Sequence, residues 1–94
     1  GLELVVYRIV QEGLTNVIKH AGPAARAEVT VRWGPRTLEI DVLDDGRGLG
    51  VPFVQGGHGL IGMVERAAAY GGTVNAGPRP GGGHALHASI PVAA

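Results

Sequence analysis

Two stretches of strict alternation constrain this chain more than any other feature. In "AEVTVRW" (27–33), Ala27, Val29, Val31 and Trp33 fall on one face and Glu28, Thr30 and Arg32 on the other. In "TLEIDVLD" (37–44), Leu38, Ile40 and Val42 oppose Glu39 and Asp41. Successive strand side chains point to opposite faces, so period two means one wet face and one covered face. The "GPR" between them (34–36) is a turn. The pair predicts an antiparallel hairpin packed under helices.

The flanking segments supply the helices. From Leu4 to Ala21, the residues Leu4, Tyr7, Val10, Leu14, Val17, Ile18 and Ala21 recur at steps of three and four, which defines an apolar helical face. Gly22 in the C-cap region and Pro23 beyond it end that helix. Gly13 inside it costs about 1 kcal/mol relative to alanine, which a close neighbour would explain. A second helix is predicted over "LIGMVERAAAY" (60–70), with Leu60, Met63, Val64, Ala67 and Ala68 on one side and "GG" (71–72) closing it. "TVNAG" (73–77) and "HALHASIPV" (84–92) form a second strand pair joined by "PRPGGG" (78–83). Helices on one face of a mostly antiparallel sheet make a two-layer α/β sandwich.

Residues 45–59 are read as loop, and that loop raises the question of ligand. Glycine accounts for 17 of 94 residues, against an average near 7%. Six of the 17 fall at 46, 48, 50, 56, 57 and 59, which predicts a mobile lid. Asp44 ends a strand whose covered face is apolar, so its carboxylate lies at a pocket edge as an acceptor. The exocyclic amine of an adenine suits it. Glycines at 46 and 48 let a flat ring approach the backbone. Gly57 and Gly59 precede a helix whose free N–H groups can seat phosphate. On the first helix, Glu12, Asn16 and His20 are four apart, with Lys19 beside them: oxygen donors for Mg²⁺ and charge for phosphate. No P-loop string occurs, and a dinucleotide fingerprint would need the acid after the glycines. An EF-hand loop fails at Gly46, where a ligand should stand.

Composition excludes other classes. Lys and Arg (8) balance Asp and Glu (8), and no basic stripe addresses nucleic acid. There is no cysteine, which removes disulfides and thiolate metal sites and is compatible with a cytoplasmic setting. No apolar run reaches the roughly 20 residues of a membrane span. The length suits one small domain.

Taken together, these residues resemble the catalytic ATP-binding domain of sensor histidine kinases, a Bergerat-type fold shared with gyrase-type, heat-shock chaperone and mismatch-repair ATPases. "EGLTNVIKHA" resembles the N box, "DDGRGLG" the G1 box and "GHGLIGM" the G2 box; "GGGHALHASIPV" is similar to the closing strand. "RIVQEGLTNVIKHA" with "GHGLIGMVERAAAYGG" looks most like kinases that pair with helix-turn-helix response regulators. The resemblance implies Asn16 as the Mg²⁺ ligand, Glu12 as the acid that activates water in the ATPase branches, and Lys19 and His20 as a phosphate-facing pair. It implies Asp44 as the adenine-binding aspartate, Gly46 and Gly48 as pocket walls, and Gly57, His58, Gly59 and Leu60 as the lid end and phosphate loop. Asp45 fills a variable, solvated slot.

Departures from the family pattern are equally specific. The lid (49–58) is short, and Phe53 is a weak F-box candidate. His84 stands where many relatives carry threonine. His84 and His87 lack the further ligands of a zinc site. The strand expected before the first helix is missing, which implies a piece of a longer kinase and a bare sheet edge. The phosphoacceptor histidine and helical dimerisation domain are missing too. The implied function is supply of the ATP γ-phosphate to a histidine on a separate dimerisation domain, with no direct membrane contact by this domain. Two rivals are an ATP-hydrolysing switch with Glu12 as base, and an anti-sigma-factor-type kinase that grips a protein partner. A docking module without nucleotide is disfavoured by the intact Asn16, Asp44 and glycines.

Overall fold

A computed structural model describes residues 1–22, 25–46 and 58–92, with only the backbone of His20, His58 and Gly59. The elements run α1 (Leu2–His20), β1 (Ala27–Trp33), β2 (Thr37–Asp44), α2 (His58–Ala68), β3 (Thr73–Pro78) and β4 (His84–Pro91). The strands form one sheet in the order β1-β2-β4-β3, and each neighbouring pair is antiparallel. α1 lies against β2 and β1, α2 against β3 and β4, and the helices touch each other. The two-layer α/β sandwich expected from the sequence is the fold.

The alternation in β2 becomes the floor of the core. Leu38, Ile40 and Val42 are buried beneath the helices, and the register sets them beside Ile90, Ala88 and Leu86 of β4. Val5 and Ile9 from α1, Met63 and Ala67 from α2 and Val74 from β3 complete the cluster. Glu39 and Asp41 take the opposite, helix-free face, as period two requires.

The helical faces differ from expectation. Leu4 and Tyr7 are exposed and Ile18 is 83% exposed, while Val5 and Ile9 are buried. The first three turns of α1 are apolar nearly all round, so spacing alone does not choose a face. Gly13 chooses it. A Cβ there would come within 2.9 Å of Val42 Cγ2, so the backbone of α1 lies close against the sheet at this point. Residues 2, 5, 6 and 9 share that side of the helix and turn inward with it. On α2, Met63 and Ala67 are buried and Leu60 half-buried, whereas Val64 and Ala68 face outward.

β1 departs more sharply. Val29 and Val31 are each 37% exposed and Trp33 58% exposed, so the covered face predicted for this strand is not covered. The residues do point to the helix side, but α1 is centred over β2 and β1 is the sheet edge.

Glycines end both helices as expected. Gly22 has φ +96° after α1, and Gly71 has φ +79° after α2, where the Gly72 N–H donates to Ala67 O (2.8 Å). Among the described residues no helix is long and apolar enough to cross a membrane.

A candidate nucleotide site at the Asp44 end of the sheet

Asp44 occupies the position after Leu38, Ile40 and Val42 in the inward row of β2. It is 3% exposed, and among the described residues it is the buried charged side chain. Its Oδ1 accepts the Gly46 N–H (2.9 Å) and the His84 N–H (3.3 Å). A buried carboxylate is costly unless its oxygens are satisfied. Here two backbone N–H groups satisfy Oδ1.

The chain around Asp44 is cramped. A Cβ on Gly46 would fall on the Ala21 carbonyl, and one on Gly83 would fall on the Asp44 carbonyl. Gly83 also has φ +86°, a left-handed backbone that other residues resist. Arg79 Nη1 donates to Asp44 O (2.8 Å), which ties the β3–β4 loop to the same point. Asp45 is exposed, and its Oδ1 accepts the Arg26 N–H (2.6 Å) while its own N–H donates to Arg26 O (3.1 Å). The solvated slot expected for Asp45 therefore also clamps the entry to β1.

α1 delivers its polar residues to this end. Gly13 lies over Val42 and Ala21 lies against Gly46. Eight helical residues rise about 12 Å and four strand residues span about 13 Å, so the two elements run side by side in the same direction. Asn16, half-buried, lies between those two contacts, and the exposed Lys19 follows it toward Gly46. Glu12, half-buried, precedes Gly13. His20 is the last residue of α1 and His58 the first of α2. Gly59 is in the first turn of α2, and Leu60 is half-buried and packed on the core. Gly48, Gly57, Phe53 and the lid from 49 to 57 lie outside the described residues.

The sequence reading missed Gly83 and Arg79. Three successive glycines at 81–83 all have positive φ (+85°, +117° and +86°). "PRPGGG" carried that signal, but as a turn rather than as a partner of Asp44. His84, which stands where many relatives carry threonine, reaches Asp44 through its backbone N–H. His87 lies on the opposite face, with Asp41 and Glu39.

Comparison with known proteins converges on one family. The whole chain, residues 1–94, matches the family described as histidine kinase-, DNA gyrase B- and HSP90-like ATPases. It is 42% identical over 73 residues to the signal transduction histidine-protein kinase/phosphatase UhpB of Salmonella typhimurium, covering 76% of this chain and 14% of that protein. It is 36% identical over 87 residues to the sensor histidine kinase YxjM of Bacillus subtilis, covering 93% of this chain and 21% of that one. The chain thus spans about a fifth or less of the length of these relatives. Among solved structures, the histidine kinase domain of a blue-light activated histidine kinase from Erythrobacter litoralis superposes with a TM-score of 0.75 at 25% identity, over 93% of this chain and 43% of that one. The nucleotide-free catalytic domain of the histidine kinase ThkA shares the fold, with a TM-score of 0.74 at 15% identity over 94% of this chain and 66% of that one. With the match running from the first residue to the last, this chain belongs to the histidine kinase-, DNA gyrase B- and HSP90-like ATPase family, and its sequence relatives are sensor histidine kinases.

Proposed function

We propose that this chain binds ATP with Mg²⁺ and presents the γ-phosphate to a histidine on a separate dimerisation domain of the same kinase. The observation that carries the reading is Asp44: a buried carboxylate at a strand end, with Oδ1 held by two backbone N–H groups. An amino group on a flat ring is a fitting donor for the second oxygen.

The remaining roles follow from position. Asn16 supplies a carbonyl oxygen and Glu12 a carboxylate one turn earlier, a hard-donor set that fits Mg²⁺. The ion, when bound, would offset charge on the phosphates. Lys19, near the end of α1, adds a cationic group in this reading, and His20 is the residue that follows it. The first turn of α2, His58 to Leu60, offers N–H groups without intrahelical partners for phosphate oxygens. Gly48 and Gly57 are the backbone approaches for the nucleotide in this reading, while Gly46 admits the close packing of Ala21. Phosphoryl transfer asks mainly for positioning and charge neutralisation, which these residues supply. The substrate histidine lies on another domain, and a helix-turn-helix response regulator is the eventual recipient in this scheme.

Calorimetric titration of ATP–Mg²⁺ into the chain tests the reading. Saturable binding is expected, lost in Asp44→Ala and insensitive to Mg²⁺ in Asn16→Ala. No binding by folded protein would overturn it. The chain alone is expected not to acquire labelled phosphate from ATP. A steady ATPase activity abolished in Glu12→Gln and retained in Glu39→Gln would instead favour a hydrolytic switch.

A further inference from the structure

At the end of β2 the sheet ladder changes partners, and we infer that Arg79 makes it do so, as a positioning residue for the carboxylate of Asp44. The parity of the ladder fixes which bonds are due there. Asp45 N–H donates to Arg26 O (3.1 Å), which closes the Arg26–Asp45 pair with the chain entering β1. Closed and open pairs alternate in an antiparallel ladder, so Asp44 turns its own N–H and C=O away from β1 and toward β4. On that side Val92 N–H donates to Arg36 O (2.9 Å). Counting in twos from Arg36–Val92 along the register makes Asp44–His84 a closed pair too.

A regular ladder would send the His84 N–H to the Asp44 carbonyl. The register instead ends one step earlier, at Leu43–Ala85. The His84 N–H donates to the Asp44 carboxylate (Oδ1, 3.3 Å), and Arg79 Nη1 donates to the Asp44 carbonyl (2.8 Å).

The β3–β4 turn puts Arg79 in place for this exchange. Arg79 N–H donates to Gly83 O (2.9 Å) and Gly82 N–H to Arg79 O (3.1 Å). Gly83, next to His84, has no side chain to keep the Asp44 carbonyl away. Arg79 is half-buried. A guanidinium on a carbonyl is a charge-assisted bond, stronger than the neutral amide bond whose place it takes. With its carbonyl held, Asp44 leaves the His84 N–H to its own side chain. Together with the Gly46 N–H (2.9 Å), that bond fixes Oδ1. Without Arg79, the His84 N–H returns to the main-chain carbonyl, and the carboxylate keeps one N–H and turns more freely. A carboxylate that the ligand itself must order binds that ligand more weakly. The consequence for ATP rests on the function proposed above; the exchange of partners does not.

Two readouts keep these apart, with far-UV circular dichroism as the folding control. The first needs no ligand: the His84 amide shift in ¹H–¹⁵N NMR spectra of the wild type, Arg79→Met, Asp44→Asn and the double variant. Arg79→Met keeps an apolar stem and removes the donor. Asp44→Asn should move the His84 amide strongly in the wild-type background and much less beside Arg79→Met, where that amide already bonds the carbonyl. Equal shifts in both backgrounds would overturn the inference, because an arginine that only braces the turn leaves the two changes independent. The second readout is calorimetric titration with ATP–Mg²⁺. Arg79→Met should raise the dissociation constant about tenfold. Arg79→Lys retains a cationic donor for the single N–H contact and should restore affinity to within about threefold of wild type. Unchanged affinity in folded Arg79→Met, or no recovery with lysine, would also overturn it. If the folded wild type binds no ATP, the nucleotide reading fails instead, and the amide comparison decides for or against Arg79 on its own.

Discussion

Asp41 and Asp44 are three residues apart on β2 and answer to different physics. Asp44 faces the helices, is almost wholly buried, and is held by backbone N–H groups and surrounded by positions where only glycine fits. Asp41 faces away from the helices. Its Oδ1 accepts from His87 Nδ1 (2.7 Å) and its Oδ2 lies 3.5 Å from Arg32, within a group that includes Glu39. One carboxylate is fixed by parts of the chain that cannot rearrange. The other is fixed by long, half-exposed side chains that can. The difference separates the position proposed for ligand from one that balances a polar face, although both are acids in the same strand.

Breaking the rigid side should produce the largest effects. Gly83→Ala forces a side chain into the Asp44 carbonyl at a left-handed backbone position. We expect a loss of about 3 kcal/mol or more in urea unfolding. Asp44→Ala leaves the Gly46 and His84 N–H groups without their acceptor, a loss of about 1–3 kcal/mol. Asp44→Asn keeps an acceptor oxygen, so its stability should stay nearer the wild type while ATP binding weakens; equal unfolding midpoints for Ala and Asn would show that the N–H bonds contribute nothing. Arg79→Ala removes one bond to the Asp44 carbonyl and should cost about 1 kcal/mol. On the other face, Asp41→Asn should cost less than about 1 kcal/mol, and the difference should shrink as salt is raised from low to high concentration. A large, salt-independent loss there would erase the contrast.

What was legible in the sequence follows the same division. β2 was read at its observed limits because one face is fully covered and the other polar, so period two survives in the residues themselves. The "GPR" turn and the glycine helix stops were legible because backbone geometry selects those residue types. The inward face of α1 was not, since Leu2, Leu4, Val5, Val6, Tyr7, Ile9 and Val10 leave no polar side to contrast with. The exposure of β1 was hidden as well: alternation reports which way a side chain points, not whether anything stands in front of it. At the site, Asp44 announced itself by ending an apolar row with an acid. Gly83 and Arg79 did not, because their role depends on a strand pairing about 40 residues away, fixed by the β2–β4 register.

The two places where α1 touches the sheet through missing side chains have a mechanical consequence. A beam held at one end sways most at its tip, whereas a beam clamped at both ends is stiff between the clamps. Gly13 against Val42 and Ala21 against Gly46 are the clamps of α1, and Asn16 and Lys19 sit in the span between them. Their distance from Asp44 is interpolated between two fixed points instead of being extrapolated from one.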